Sequence, residues 1–328
     1  MASSPSSSSP GSGWRLTSDL DEFHSRAETF LHSAPALHTA LLSVTDTLRT
    51  RGLHAYGDED PLFGFRTGGG GDDHSDGVGD GEGDGDGGQG PGAGEPVVTG
   101  AFLWTPPHFL ALSPLAEGGG GGDADAAVDE LAAVLADAGL APAGVGAESV
   151  TAAAFADAWR RRTNATPAVN FPQRLYRLGT LTPPEPPPAG GARVATGADR
   201  ALLVRWHGAF HEAIGEKGAM GAGEWADARI SYGGVTLWEA PDGTPVAMAG
   251  NTRQVAGQIR IAPVYTPAHE RGRGYAGAVT AEVSRAALAA GADEVLLFTD
   301  VGNPTSNALY QRLGFRPVRD FTQYRFTR

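Results

Sequence analysis

The chain has 328 residues, a formal net charge of -13 and no cysteine, which leaves room for two ordinary domains and excludes disulfides, thiolate metal sites and a cysteine nucleophile. The acidity argues against an electrostatic nucleic-acid binder, although eight carboxylates between Asp72 and Glu95 carry most of it. Lys217 is the sole lysine, and no apolar run approaches the roughly 18 residues that a membrane span needs.

In chain order, MASSPSSSSPGSG lacks the basic and apolar regions of a signal peptide, so residues 1–16 are expected to be a disordered tail on a cytoplasmic protein. The Gly/Asp tract of about residues 67–95 and Pro183–Gly191 (PPEPPPAGG) also offer too little apolar surface to offset their ordering entropy. Within the tract, Asp80, Glu82, Asp84 and Gly85 imitate the first half of an EF-hand loop. Pro91 stands where a bidentate Glu is required, so a solvated insertion is expected and no metal. On either side, Pro61–Arg66 (PLFGFR) and Pro96–Leu103 (PVVTGAFL) read as strands, with the tract as an inflated hairpin tip. Leu131–Leu135 and Phe155–Arg162 read as helices and Arg174–Leu178 as a strand. The proline tract, 183–191, is expected to be a stiff, extended linker.

Beyond it, Arg193–Ala195 reads as a short strand. Asp199 is expected to cap a helix whose apolar face holds Leu202, Leu203, Trp206, Phe210 and Ile214. A helical stretch around Trp225–Tyr232 follows. Val235–Glu239 and Pro245–Thr252 alternate around Pro241-Asp242-Gly243, a hairpin turn, and Gln258–Thr266 is a further strand. The next helix places Ala276, Val279, Val283, Ala286 and Ala290 on one face and stops at Gly291. Glu294–Asp300 is a buried-type strand, Thr305–Leu313 a helix, and Phe315–Phe326 the last strands. The pair of strands around the Gly/Asp tract faintly repeats the later hairpin pair, so residues 17–182 are expected to be a degenerate copy of 192–328.

One loop in the second half has two spellings. Gly272, Gly274 and Gly277 form G-x-G-x-x-G, the dinucleotide fingerprint, while Arg271, Gly274 and Ala276 form R-x-x-G-x-A. A dinucleotide loop follows its strand almost directly, but here Pro267–Arg271 intervene and the preceding strands form a hairpin series. The second spelling passes its context test. The glycines bare the backbone at a helix start, whose unpaired N–H groups suit a pyrophosphate, and Arg271 and Arg273 add multi-donor cations.

Downstream lies NPTSNALYQRLGF, Asn303 to Phe315. Together with RIAPVYTPAHERGRGYA, this resembles the GNAT acetyltransferase superfamily from about Ala192 to Arg328, most strongly over Arg260–Phe315. Arg271, Gly274 and Ala276 match its pyrophosphate loop. Asn303, Tyr310, Gly314 and Phe315 match its N…Y…G-F motif, with Ser306 where many members carry Ala. The resemblance implies an α+β (α/β) fold: a mixed, mostly antiparallel sheet flanked by helices, with splayed fourth and fifth strands, in tandem with the degenerate N-terminal copy. Pro263 marks where Arg260–Thr266 would part from Glu294–Asp300, freeing the backbone of Val264, Tyr265 and Thr266.

The same resemblance implies acetyl-CoA as co-substrate, held by Val264, Tyr265, Thr266, Arg271, Gly272, Arg273, Gly274, Tyr275, Ala276, Asn303 and Asn307. It implies acetyl transfer to an amine, expected to be a small molecule, with Tyr310 as general acid. The base stays open among His211, Glu212 and Glu239. His207 could pack beside Trp206, and Asn251 and Arg253 could line the acceptor pocket. Alternatives are another acyl-CoA, a protein acceptor, or a non-catalytic CoA-binding protein. The N-terminal half lacks both motifs, and the chain is expected to be a monomer with an internal pseudo-dimer, or a weak homodimer.

Overall fold

The computed structural model describes residues 13–68, 97–115, 121–215 and 220–327. Most of the expected N-terminal tail, nearly all of the Gly/Asp tract with its calcium-like Asp80–Gly85 stretch, and Lys217 lie outside the described residues.

The first half runs β1 (Gly13–Thr17), α1 (Leu20–Ser33), α2 (Thr39–Arg51), β2 (Leu62–Gly68), β3 (Val97–Trp104), β4 (Leu110–Leu112), α3 (Gly121–Asp137), β5 (Gly144–Glu148), α4 (Ser149–Thr163) and β6 (Thr166–Leu178). The second runs β7 (Gly191–Val194), α5 (Arg200–Ile214), α6 (Ala222–Ile230), β8 (Val235–Glu239), β9 (Pro245–Asn251), β10 (Gln258–Tyr265), α7 (Tyr275–Ala289), β11 (Glu294–Asp300), α8 (Pro304–Arg312) and β12 (Phe315–Thr327). Short 3-10 turns aside, the two orders are the same: strand, two helices, three strands, helix, strand, helix, strand. The duplication that the sequence only hints at is complete in topology. β2 and β3 pair antiparallel across the Gly/Asp tract, with Gly68 opposite Val97, as a hairpin requires.

All twelve strands form one sheet, in the order β1-β2-β3-β4-β5-β12-β6-β11-β10-β9-β8-β7. The two halves exchange their last strands. β6 lies between β11 and β12, while β12 lies between β6 and β5. Phe315–Phe326 was expected to supply several strands, but it is one strand. A register shift between Pro317 and Arg319 leaves Val318 as the extra residue, and the strand continues past Pro317. Arg174 of β6 clamps Asp320 of β12 through Nε and Nη2 at 2.6 and 2.8 Å, across the exchange.

Helices cover both faces of each half. α1 and α2 bury Phe23, Leu31, Leu41 and Leu48 against Phe63, Phe65 and Leu103. These two helices, over residues 20–51, went unread in the sequence. Asp19 caps the first, accepting from the backbone N–H groups of Asp21 and Glu22, and Phe23, Ala27 and Leu31 bury at a four-residue spacing. α3 and α4 build a second core with Leu131, Leu135, Phe155 and Trp159. In the second half α5 and α6 pack Leu203, Trp206 and Trp225 on Leu237 and Met248, and α7 and α8 cover the other face.

Two local expectations need correction. Asp199 sits at the start of α5, but its carboxylate makes no cap bond there. It accepts from the Thr196 N–H at 2.8 Å, closing a capping box on the preceding turn, and from both Nη atoms of Arg193. On α7, Ala286 and Ala290 are exposed, whereas Gly277, Thr280, Ala281 and Ser284 are buried beside Val279 and Val283. The buried stripe is rotated to take in Thr280 and Ser284. Ser284 satisfies itself along the helix, its Oγ donating to the Thr280 carbonyl at 2.8 Å, while the Thr280 hydroxyl is buried without a partner among the described residues.

Candidate functional site

The site begins where the sheet opens. β10 pairs in parallel with β11 only from Gln258 to Ile261, opposite Glu294 to Leu297. Beyond Ile261 its pairing is with β9 alone, resuming at Val264 and Tyr265 after a register shift. Pro263 lies inside that shift, where its missing N–H leaves no broken ladder bond. Val264, Tyr265 and Thr266 therefore stand on the β11 side of a widening gap. At its end, the Thr266 hydroxyl oxygen is buried and has no hydrogen-bond partner among the described residues.

From there the chain makes a 3-10 turn at Ala268–Glu270 and passes through Arg271–Gly274 into α7. Gly272 and Gly274 have φ of 80° and 84°, a conformation that glycine adopts without steric cost. Gly274 caps α7 without any side-chain bond, and the first helical bond runs from Ala278 N–H to the Gly274 carbonyl. The N–H groups of Tyr275, Ala276 and Gly277 thus have no intrahelical partner. A side chain at Gly272 would start in open space, and one at Gly274 would meet only Pro188 of the linker, at 3.9 Å. This bare, exposed cradle, at the positive end of a 15-residue helix, suits a phosphate-bearing ligand.

Arg271 is exposed and donates from Nε to the Thr266 carbonyl at 3.1 Å. Arg273 is also exposed and pairs with Glu270 at 3.1 Å. Tyr275 and Ala276 are half-buried. Gly277 faces inward: a side chain there would meet Leu309 at 3.2 Å and Pro184 at 3.4 Å. It is a packing position, which answers the dinucleotide spelling.

The first half differs at the corresponding places. Asp123, in the first turn of α3, is held by Arg66 at 3.0 Å, so a carboxylate stands where α7 is bare. α4 is capped by Glu148 and α8 by Asn303; counted from those caps, Phe155 takes the place of Tyr310.

On α8, Asn303 accepts from the Ser306 N–H at 3.0 Å and so serves as the helix cap. Asn307 spends both amide hydrogens on the carbonyls of Asp300 and Asn303, at 2.8 and 2.7 Å, and accepts from Tyr176 Oη at 2.8 Å. Tyr176 belongs to β6, so the exchanged strand of the first half props the helix that carries Tyr310. Tyr310 is buried, edge-on to Phe315 at 6.0 Å, and burial pushes its phenol up to about 12. Its hydroxyl makes no hydrogen bond to any described residue, unusual for a buried tyrosine.

On the other side of the splay lies a cavity of about 560 Å³. Ala262 and Pro263 of β10 form one wall. α2 contributes Ser43, Asp46 and Thr47 from the first half, and α5 contributes His207 and His211. His207 is stacked on Trp225 at 4.5 Å, and its Nε2 is 3.2 Å from that of His211. Burial first, then the neighbouring His211 and Arg229, lowers the His207 pKa to about 4. Burial also lowers that of His211, so both imidazoles are neutral at neutral pH. His211 Nδ1 is buried without a partner among the described residues.

Of the residues weighed as bases, only His211 lines this cavity. Glu212 is exposed on α5, and Glu239 is bound to Arg193 at 2.6 Å near the β7 edge of the sheet. Arg253 lines the cavity, while the Asn251 carbonyl accepts from Tyr232 and Arg229 beside it. Tyr56 and Asp46 were missed because they reach the cavity from segments with no motif of their own, and Arg260, which opens a motif-bearing stretch, was not assigned to the cavity.

Comparison with known proteins places this geometry. The FR47-like protein family model matches residues 242–326, which span the splay, the glycine loop and α8. A Drosophila structural-genomics protein aligns with 96% of this chain and 99% of its own, at 12% identity and a TM-score of 0.58. A tandem GNAT protein from the clavulanic acid biosynthesis pathway aligns over 95% of this chain and 97% of that one, at 10% identity and a TM-score of 0.50. A GCN5-related N-acetyltransferase from Sphaerobacter thermophilus, 21% identical, overlaps 70% of this chain and 76% of its own with a TM-score of 0.48. No protein of curated function matches the sequence. Among the described residues, no helix is long and apolar enough to cross a membrane. The fold is that of the GNAT proteins, with two such units joined through one sheet, the second of which carries the FR47-like match.

Proposed function

We propose that the chain is an acetyl-CoA-dependent N-acetyltransferase acting on a small-molecule amine, with its one working site in the second unit. The observation that carries this reading is the splay at Ile261 and Pro263. It joins a bare, arginine-flanked helix start to a cavity lined by neutral imidazoles. When bound, acetyl-CoA supplies an activated acetyl group as a thioester. The N–H groups at the start of α7, with Arg271 and Arg273, would hold its pyrophosphate, and the opened edge of Val264–Thr266 would hold its arm.

The chain's own residues then have three tasks. A backbone N–H at Val264 or Tyr265 would steady negative charge developing on the reacting carbonyl oxygen. His211 would accept a proton from the incoming amine, which its neutral state allows. Tyr310, kept protonated by burial, would return a proton to the departing sulfur. Asn303 and Asn307 serve α8 by bracing it, because their hydrogen bonds are internal. The first unit, with Asp123 in the first turn of α3 and Phe155 in the place of Tyr310, supplies a wall of the acceptor cavity.

The test is calorimetric and kinetic. Acetyl-CoA should raise the melting temperature and NAD should not, and thiol release should depend on an added amine. Stabilisation by NAD alone would sink the reading, and acetyl-CoA binding without release across a broad amine panel would leave a binding protein.

A further inference from the structure

The cavity between the two units is lined by four arginines, Arg51, Arg229, Arg253 and Arg260, against two aspartates, Asp46 and Asp227. Asp227 is already taken by Arg200, whose Nε and Nη2 bind it at 2.6 and 2.8 Å. Burial raises the Asp46 pKa against the opposing pull of Arg253 and Arg49, so this carboxylate compensates the arginines only partly. Arg51 is occupied by the Glu224 carbonyl at 3.1 Å.

The other three have no carboxylate within ion-pair distance among the described residues. Arg229 donates to Tyr232 Oη and the Asn251 carbonyl. Arg253 lies over the Tyr232 ring at 4.5 Å. Arg260 reaches Thr39 Oγ1 at 3.4 Å and lies over Phe298 at 5.9 Å. Arg260 is held to about 10 by burial and by the like charge of Arg229. Arg229 and Arg260 are half-buried cations that repel one another without a paired counter-charge, a costly arrangement that an anion entering beside them relieves. Guanidinium forks suit planar carboxylates and phosphates, and Tyr56, Phe210 and Tyr232 give the same cavity apolar walls. The volume fits a small molecule. Ala262 and Pro263, at the splay, form part of the same lining, so a molecule anchored here can extend an amine toward the reacting centre.

We infer that Arg229, Arg253 and Arg260 select the acceptor through an anionic group on it, so that the acceptor is a small amine carrying a carboxylate or phosphate-type group. This rests on the acetyltransferase reading above, but anion binding can be measured without turnover. The binding arm titrates the full chain with α-amino acids, their α-aminophosphonate analogues and their decarboxylated amines, following thermal stabilisation and intrinsic tryptophan fluorescence. Anionic members should bind and the decarboxylated amines should not, and whichever anion series binds tighter identifies the group. The turnover arm compares kcat/KM for each acid with that of its decarboxylated amine. Arg253→Met and Arg260→Met should each lower it for the anionic acceptor about ten- to a hundredfold, mainly through KM, with acetyl-CoA affinity unchanged. Arg253 is exposed, so its variant folds even if Arg260→Met does not. Equal binding of decarboxylated amines, or anion binding that survives Arg253→Met unchanged, overturns the inference. Turnover of uncharged amines with acetyl-CoA would do the same while leaving the acetyltransferase reading intact.

Discussion

Replacing Tyr310 by Phe removes one oxygen from the second unit and little else. The ring is buried in the α7–α8 core, where it packs edge-on to Phe315, and Phe preserves that packing. Because the hydroxyl makes no hydrogen bond to a described residue, its loss leaves no orphaned partner in the protein. The stability change should therefore be small, under about 1 kcal/mol, because no cavity opens around the ring and no buried partner is orphaned. The catalytic effect should be far larger. A positioned proton donor contributes about 10²- to 10⁴-fold, and a phenol held near 12 stays protonated throughout the working pH range. Tyr310→Phe should lower kcat by about that factor, leave acetyl-CoA affinity nearly unchanged, and match the parent's denaturant midpoint. Thiol release with an acceptor amine, calorimetric titration of CoA and urea unfolding measure the three quantities. Full turnover in the variant would refute the argument and make Tyr310 a packing residue.

Arg271→Ala should weaken acetyl-CoA binding about tenfold by calorimetry without unfolding the chain, because its one protein bond is to an exposed loop carbonyl. Gly314 has φ of 98°, and a side chain there would collide with the Thr180 carbonyl oxygen, so Gly314→Ala should cost more than about 2 kcal/mol in urea unfolding. The folded state holds His207 at about 4, below its unfolded value, so its stabilising contribution is present above about pH 6.5. That contribution is lost as pH falls toward 4; the acid limb of stability against pH should flatten in His207→Phe, and an unchanged limb would exclude His207 as its source.

Motif-bearing stretches were legible because their physics is local. The glycine loop, the break at Pro263 and the N…Y…G-F run each name a conformation within a few residues, and the structure puts them around one opening in the sheet. α1 and α2 were missed although Asp19 and the spacing of Phe23, Ala27 and Leu31 announce a capped helix. With them went one wall of the cavity. The stripe on α7 was misjudged because Thr280 and Ser284 read as surface residues, yet both are fully buried. Strand exchange left no periodic trace: Arg174 and Asp320 meet across 146 residues, and no local pattern specifies such a pairing.

That exchange has a consequence for synthesis. β6 leaves the ribosome before either of its neighbours, β11 and β12, has been made. The first unit meanwhile waits, with the edge of β5 unpaired, until β12 has been made. β12 closes both units, so neither is finished until Phe315–Thr327 has been made. A cavity walled by α2 on one side and α5 on the other takes its shape only after that closure. Deleting residues 317–328 should therefore disable both units together, since β12 is the seam between them.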